Sequence, residues 1–561
     1  MELAPFRETL SALRSALSLH SQAILAENSV HFGRTSKLVI FLSASDGKHR
    51  AVCACGVGNS LNTAWKAAAS RLGKLMPDES QWVWIKADMA HSIRPMRPDE
   101  VMRNVATTRR NFFRQGIAFD PNFNLALLEQ ELNGIGGIGF DDTKNLVFRF
   151  DRINRYLKSS RGLKSLSQDI VHREMWYVFE ALGYFCDRSE LGGLPCELIS
   201  TGYGKGIRVR PNAIDDAGSL IERAGLYLAR QLRSDGAFHY GVFPVRDEAI
   251  PTYNILRHSS TLYSMLEAAE ATGNAQIADR VPGGIEYVIR EAMRHIGDQS
   301  LIVDYANKGE VRLGAQATFI LAVAKYTALS GDQRFIGVAR RVAAAIVERF
   351  LDAGTGAFVH VLDGIDLRVK DRFRIIYYDG EAVLALLRLH EIDGDSLWLE
   401  KAKQAFDHFV RVDHWKHHDH WLAYCANEIT RKFPHPAYYL FGLKNGFGNL
   451  EFIHQRDTAY PTFLELLMAT WEMVIRVDQS GQLPEQFSRS RLLHTIRHRL
   501  EHLRYSHFYP EVAMYFKSPA TIAGSFFIRH HGFRIRIDDV EHFISGYCLF
   551  HALALHEVVE R

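Results

Sequence analysis

Two hydrophobic rhythms divide the chain. Up to about residue 153, short apolar runs are broken by turn signals; from residue 215 onward, apolar residues recur at helical spacing in long segments. In the first region an amphipathic helix opens the chain. Strands are predicted at 37–44 (KLVIFLSA) and 51–55 around the Asp46-Gly47 turn, then a helix at 61–75 and a strand at 81–85. Helices at 98–115 and 125–132 and a strand at 145–150 complete a small α+β domain, assigned to residues 1–155. A basic, then Gly-rich connection follows at 156–212, with one helix expected at 171–182.

The second region, 213–561, repeats. Predicted helices at 259–274, 316–332 and 381–395 end alike, in ATGN, LSGD and IDGD, at a spacing close to sixty residues. Each leads into a second helix: 275–295, 334–350 and 397–412. Further helices are expected at 216–232, 421–430, 458–476, 488–503 and 540–559. First members such as FILAVAKYTAL are apolar nearly all round and so should be buried, whereas second members carry charge on one face. Roughly a dozen helices make about six αα-hairpins, with an inner buried ring and an outer half-exposed ring. The last helix is as apolar as an inner one, which favours a closed ring over an open superhelix.

That repeat length, the two helix characters and the loops SDGAFHYGVF (234–243) and GTGAFVHVLDG (354–364) resemble the six-hairpin α/α toroid superfamily. The superfamily includes glycoside hydrolases, N-acylglucosamine 2-epimerase-like enzymes and polysaccharide lyases. The resemblance implies a mainly α protein, an α/α toroid carrying a small N-terminal α+β domain, with glycans bound at the mouth where loops enter the inner helices. The fold supports several chemistries, so it does not fix which one.

Charge adds little: the formal net charge is +3, with acids and bases interspersed, and no basic stripe suggests nucleic acid. The six cysteines lie mostly in apolar segments and read as reduced thiols. The first residues read as an amphipathic helix with no signal-peptide core, and no apolar run is long enough to span a bilayer; a cytoplasmic setting is the expectation. Gly134-x-Gly136-x-x-Gly139 has the letters of a dinucleotide fingerprint but follows a helix instead of a strand, so it reads as a helix stop, and no cofactor is expected. The histidines of HWKHHDH (414–420) fit no zinc spacing, and no metal is expected.

Candidate chemistry clusters before the inner helices. Tyr253, Asn254, Arg257 and His258 precede one; Tyr377, Tyr378, Asp379 and Glu381 open another; Asp419, His420 and Trp421, then Asp457 and Tyr460, precede two more. The richest stretch is SFFIRHHGFRIRIDDVEH (525–542), with Arg529, His530, His531, Arg534, Arg536, Asp538, Asp539, Glu541 and His542. Asp538 to Glu541 also has the spacing of a helix capping box, the bland alternative. Aromatic faces stack on sugar rings, and carboxylates and arginines bond hydroxyls or sugar acids.

The leading expectation is glycoside hydrolysis, which needs two carboxyl groups across the scissile bond. Glu381 would be the acid and Asp538 or Asp539 the base, with His258 and His530 beside them. An epimerase or lyase would instead use His or Tyr to move a carbon-bound proton. A third possibility is a non-catalytic protein binding a glycan, or a partner in exopolysaccharide assembly, with the N-terminal domain as docking module.

Overall fold

The computed structural model describes residues 5–32, 36–76, 78–163, 165–166, 172, 175–190, 193–479 and 483–553. The chain forms two compact units: Met1–Arg210, Val242–Glu248 and Tyr505–Ile535 make one, and Pro211–Gly241, Ala249–Arg504 and Arg536–Arg561 make the other. The first unit is therefore larger than residues 1–155, because it takes in the connection and two later excursions. The stretch 525–542 is divided between the units after Ile535.

The first unit is built on an antiparallel sheet in the order Val52–Gly58, Leu38–Ser45, Trp84–Met96, Trp176–Asp187, Gly116–Ala118, Ala126–Leu127, with Cys196–Glu197 beside Trp176–Asp187. KLVIFLSA explains why both faces are covered. Leu38, Ile40 and Leu42 pack with helix residues Leu13, Leu17, Trp65 and Leu72, while Val39 and Phe41 pack with Phe123 and Phe179. Gly56 is needed for contact between strand and helix: a Cβ there would sit 2.2 Å from Ala64 O. Gly134 ends the short helix Glu129–Gly134, and a hairpin of Ile138–Phe140 and Leu146–Phe148 follows.

Three expectations fail in this unit. The helix expected at 171–182 is a central strand, Trp176–Asp187; its aromatic and β-branched WYVF start outweighs its helical-looking spacing, and residues 171, 173 and 174 lie outside the described residues. The helix at 98–115 stops at Thr107, short of Arg109, Arg110 and Arg114. The one at 125–132 is a two-residue strand followed by Glu129–Gly134.

The second unit is a closed ring. Six inner helices among the described residues run Ile255–Thr272, Leu313–Ser330, Tyr378–Asp393, His420–Lys432, Thr462–Gln479 and Ile537–Ala552, each packed on the next and the sixth packed back on the first. Outer helices Ala213–Gln231, Val281–Glu291, Ile336–Ala345, Ser396–Arg411, Pro436–Phe447 and Arg489–Arg504 cover them. The repeated turn glycines Gly273, Gly331 and Gly394 are left-handed C-caps (φ +67°, +73° and +71°), the conformation glycine adopts without a Cβ penalty. The second inner helix shows why the ring closes: Ala, Gly and Thr alternate with Leu, Ile and Phe, and it is buried from Leu313 through Ala324. The expected helix 275–295 is interrupted at Asp279–Arg280, resumes with Pro282 in its first turn, and gives way to a hairpin, Met293–Ile296 with Gln299–Ile302. No helix is long and apolar enough to cross a membrane among the described residues, and residues 554–559 of the expected last helix lie outside them.

Candidate active site

The N-terminal turns of the inner helices are tied into one belt of contacts. Thr318 Oγ1 donates to Leu256 O at 3.3 Å, joining second helix to first. Gly314 abuts the third: a Cβ there would lie 2.2 Å from Glu381 Oε2. The Tyr377 ring meets His420 edge-on at 5.2 Å, third to fourth. Tyr424 donates to Glu465 Oε2 at 2.7 Å, fourth to fifth, and His542 Nδ1 reaches Glu465 Oε1 at 2.9 Å, sixth to fifth. Ser260 donates to Glu541 Oε2 at 2.7 Å and closes the belt, first to sixth.

Two imidazoles face each other within this belt. The rings of His420 and His542 are 5.2 Å apart and nearly perpendicular, at 85°. Each has its own carboxylate. Asp419 caps the fourth inner helix through Oδ2, which accepts from Leu422 N at 3.0 Å, and leaves Oδ1 2.9 Å from His420 Nδ1, a close contact without hydrogen-bond alignment. His420 is 2 % exposed, and its Nε2 has no hydrogen-bond partner. His542 is held by Glu465. Burial works against its charge, but Glu465 and Glu541 outweigh burial and raise its pKa to about 10. Burial pushes the other way on Glu465, and His420 and His542 bring it below the usual range.

The neighbouring carboxyl groups are pushed apart in acidity. Burial, then Asp419 and Glu541, raises Glu381 well above its ordinary value, and Glu541 is raised to about 8 mainly by burial. Asp538 is lowered despite burial, because Arg257 and Arg536 both pair with it; Arg257 Nε is 2.9 Å from Oδ2. Arg536 also reaches Asp539 Oδ1 at 3.2 Å, and Arg257 donates to Tyr240 Oη at 2.7 Å. The capping box does not form: the helix begins at Ile537 with Arg536 as N-cap and no side-chain cap bond. Both aspartates are salt-bridged first-turn residues instead.

The belt thus brings together Arg257, Tyr377, Glu381, Asp419, Glu541 and His542, with Tyr460 3.4 Å from Tyr377 through their hydroxyls. Tyr378 and Trp421 are buried beside it. Asn254 caps the first inner helix, accepting from Leu256 N and Arg257 N at 3.0 and 3.3 Å. Asp379 turns away to bond His360 Nε2 at 3.0 Å and approach His414 Nε2 at 3.2 Å, beside a pocket of about 370 Å³ that Phe373, His408 and His417 also line. Asp457 is exposed.

His258 is fully buried with both nitrogens engaged, by Tyr253 Oη at 2.7 Å and Gly284 O at 3.0 Å, and burial lowers its pKa to about 4. Those contacts tie the buried His258 to the half-buried Tyr253 and leave His258 no free ring nitrogen. Arg529, His530, His531 and Arg534 belong to the first unit, where Asn111 Nδ2 donates to Arg529 O at 2.7 Å and Ile528 bridges Arg534; the belt does not contain them.

Sequence reasoning missed Glu465, Tyr424, Ser260 and Gly314, and singled out His420 only in passing. Glu465 carried a signal: it is a lone carboxylate inside TFLELLMATW, a helix otherwise apolar in its first turns.

His420, Glu465 and His542 offer ligand atoms within 4.8 Å of one another and could hold a metal ion. The donor set suits zinc, nickel or iron, but the Glu465 oxygen is already committed to His542. All six cysteines are free thiols.

No family model matches the chain, and no curated protein matches it in sequence. Solved structures with a similar fold include a cellobiose 2-epimerase from Spirochaeta thermophila DSM 6192 (10% identity, TM-score 0.48, covering 63% of this chain and 99% of that one). They also include a D-mannose isomerase (10%, 0.47, 62% and 100%). A third is an α-1,6-mannanase from Salegentibacter sp. HEL1_6 (15%, 0.43, 61% and 99%). These likenesses are too distant to bear on chemistry. The second unit is a six-hairpin α/α toroid, and the first is a small α+β unit.

Proposed function

We propose that the toroid catalyses proton transfer at a carbon next to a sugar carbonyl, as an aldose 2-epimerase or aldose–ketose isomerase does. The observation that carries this reading is the facing pair His420 and His542, each beside a carboxylate of its own. Asp419 beside Nδ1 favours the tautomer with the proton on Nδ1 and the lone pair on Nε2, the nitrogen left without a partner. His420 Nε2 takes the proton from the carbon; the C–H electrons form the enediolate double bond, and charge moves onto the carbonyl oxygen. His542, kept cationic by Glu465, stabilises that oxygen and supplies its proton. Return of the carbon proton to the other face of C2, with the O1 proton going back to His542, gives the epimer. Its return to C1, with the O2 proton taken up by the now neutral His542, gives the ketose. Arg257, Tyr377 and Tyr460 bond sugar hydroxyls.

Glycoside hydrolysis is the second reading, favoured by the raised pKa of Glu381, which keeps it protonated as a proton donor must be. Its partner is the weaker half: Asp538 and Asp539 are both engaged by arginine. Incubation with a panel of aldoses, ketoses and oligosaccharides in D2O separates the two. Deuterium on carbon supports proton transfer; new reducing ends without it support hydrolysis.

A further inference from the structure

Asp379 and Glu381 are two residues apart in the first turn of the third inner helix, about 200° around its axis, so their side chains leave on opposite sides. Glu381 belongs to the belt. Asp379 faces the cavity of about 370 Å³ that Arg372, Phe373, His408, His414 and His417 also line. That volume is at the lower end of small-molecule pockets, about 300–1,000 Å³, and suits a single sugar-sized ring.

The walls are aromatic. His414 stacks on Phe409 at 5.0 Å and meets His417 edge-on at 4.5 Å, and His417 stacks on Phe373 at 5.4 Å. Phe373 is nevertheless 52 % exposed, which leaves apolar surface for a ligand at the mouth. Asp379 is already engaged, by His360 and His414. Burial lowers the pKa of His408 and of His417, so both imidazoles are neutral at pH 7, each with one N–H and one lone pair. The His417 ring nitrogens have no hydrogen-bond partner among the described residues.

Charge comes from Arg372. The cations on either side of it in the chain are committed to one acid: Lys370 Nζ is 2.7 Å from Glu310 Oε1, and Arg374 Nη1 is 2.6 Å from Oε2. Arg372 is exposed and has no hydrogen bond or ion pair among the described residues. Asp352 feels it only at longer range and accepts instead from the Thr355 N–H and hydroxyl, both at 2.7 Å. A free guanidinium presents a fork of N–H donors that matches a carboxylate. A neutral sugar would leave that fork unused, and a bare carboxylate would leave the aromatic wall unused.

We propose that this cavity binds a uronic acid ring, with its carboxylate on Arg372, its hydroxyls on His417 and its C–H face against Phe373, either as a free sugar acid or as a residue of an acidic glycan. The site is separate from the belt and independent of the chemistry proposed there. The probes are D-glucuronate and D-galacturonate, their neutral counterparts glucose and galactose, glucose 6-phosphate, and trigalacturonate, each titrated into full-length protein and followed by NMR. At least one uronate should bind at least about tenfold more tightly than its neutral counterpart, the usual worth of hydrogen bonds to a charged group. Arg372→Ala should abolish that preference with an unchanged melting curve, Arg372→Lys should restore part of it, and Phe373→Ala should weaken uronate and neutral sugar alike. Tighter binding of trigalacturonate, with the same dependence on Arg372, identifies a glycan residue as the ligand; binding of the monosaccharides alone identifies a free sugar acid. Equal binding of uronate and neutral sugar overturns the proposal, as does the absence of uronate binding or a preference for glucose 6-phosphate. Uronate binding that is unchanged in Arg372→Ala also overturns it, because the ligand would then sit elsewhere.

Discussion

Glu465 and His542 lie 77 residues apart in sequence, and their side chains meet at 2.9 Å between the fifth and sixth inner helices. The glutamate is 1 % exposed, and its second oxygen is bonded by Tyr424. A buried charge so held is strongly destabilising once its partner is removed, by about 3–5 kcal/mol. Glu465→Gln and His542→Gln should each show a loss of that order in urea denaturation. The double variant should lose clearly less than the sum, since the second change removes an already orphaned group. Additive losses would mean that the pair is not coupled.

His542 also gives a pH dependence. Its folded pKa of about 10 lies above the ordinary 6.5, so its stabilising contribution is complete below about pH 6.5 and is lost as pH rises through about 10. Glu541 acts in the same direction for a different reason. Raised from 4.5 to about 8, it binds its proton more tightly in the folded state and penalises folding progressively between those values. Glu541→Gln should therefore gain melting temperature relative to wild type as pH goes from 5 to 8. A constant gap across that range would show that Glu541 is not perturbed.

Gly314 is a steric test of the belt. A Cβ would sit 2.2 Å from Glu381 Oε2 and 2.6 Å from both Leu256 Cδ1 and Tyr378 Cδ1. Gly314→Ala should destabilise the toroid by about 1–3 kcal/mol through overpacking, in spite of alanine's better helix propensity. A variant as stable as wild type would place Glu381 elsewhere.

The ring was legible because its signals are local and repeated. Gly273, Gly331 and Gly394 mark the ends of three inner helices, and the apolar last helix indicated closure. The outer helix Pro436–Phe447 was missed because Gly442 and Gly446 look like breakers. They instead admit the fifth inner helix, where a Cβ would meet Met473 Cε at 2.5 Å and Thr470 Oγ1 at 2.1 Å. The strand Trp176–Asp187 was missed because its partners, Trp84–Met96 and Gly116–Ala118, lie far away in sequence. Within the belt, residues at helix starts such as Glu381 and Asp419 stand out in the sequence by position. Glu465 does not, because only its tertiary partner distinguishes it from a tolerated charge. In the cluster at 525–542, proximity in sequence suggests one site, and the chain passes from one unit to the other after Ile535.

Solvent isotope exchange with His420→Asn beside wild type tests the central claim most directly. In D2O, wild type should place deuterium on the carbon next to the carbonyl of its sugar. His420→Asn should fold and bind that sugar as wild type does, and exchange about a hundredfold more slowly or less, the usual loss on removing a general base. Turnover without carbon-bound deuterium, or exchange by His420→Asn at the wild-type rate, would contradict the account.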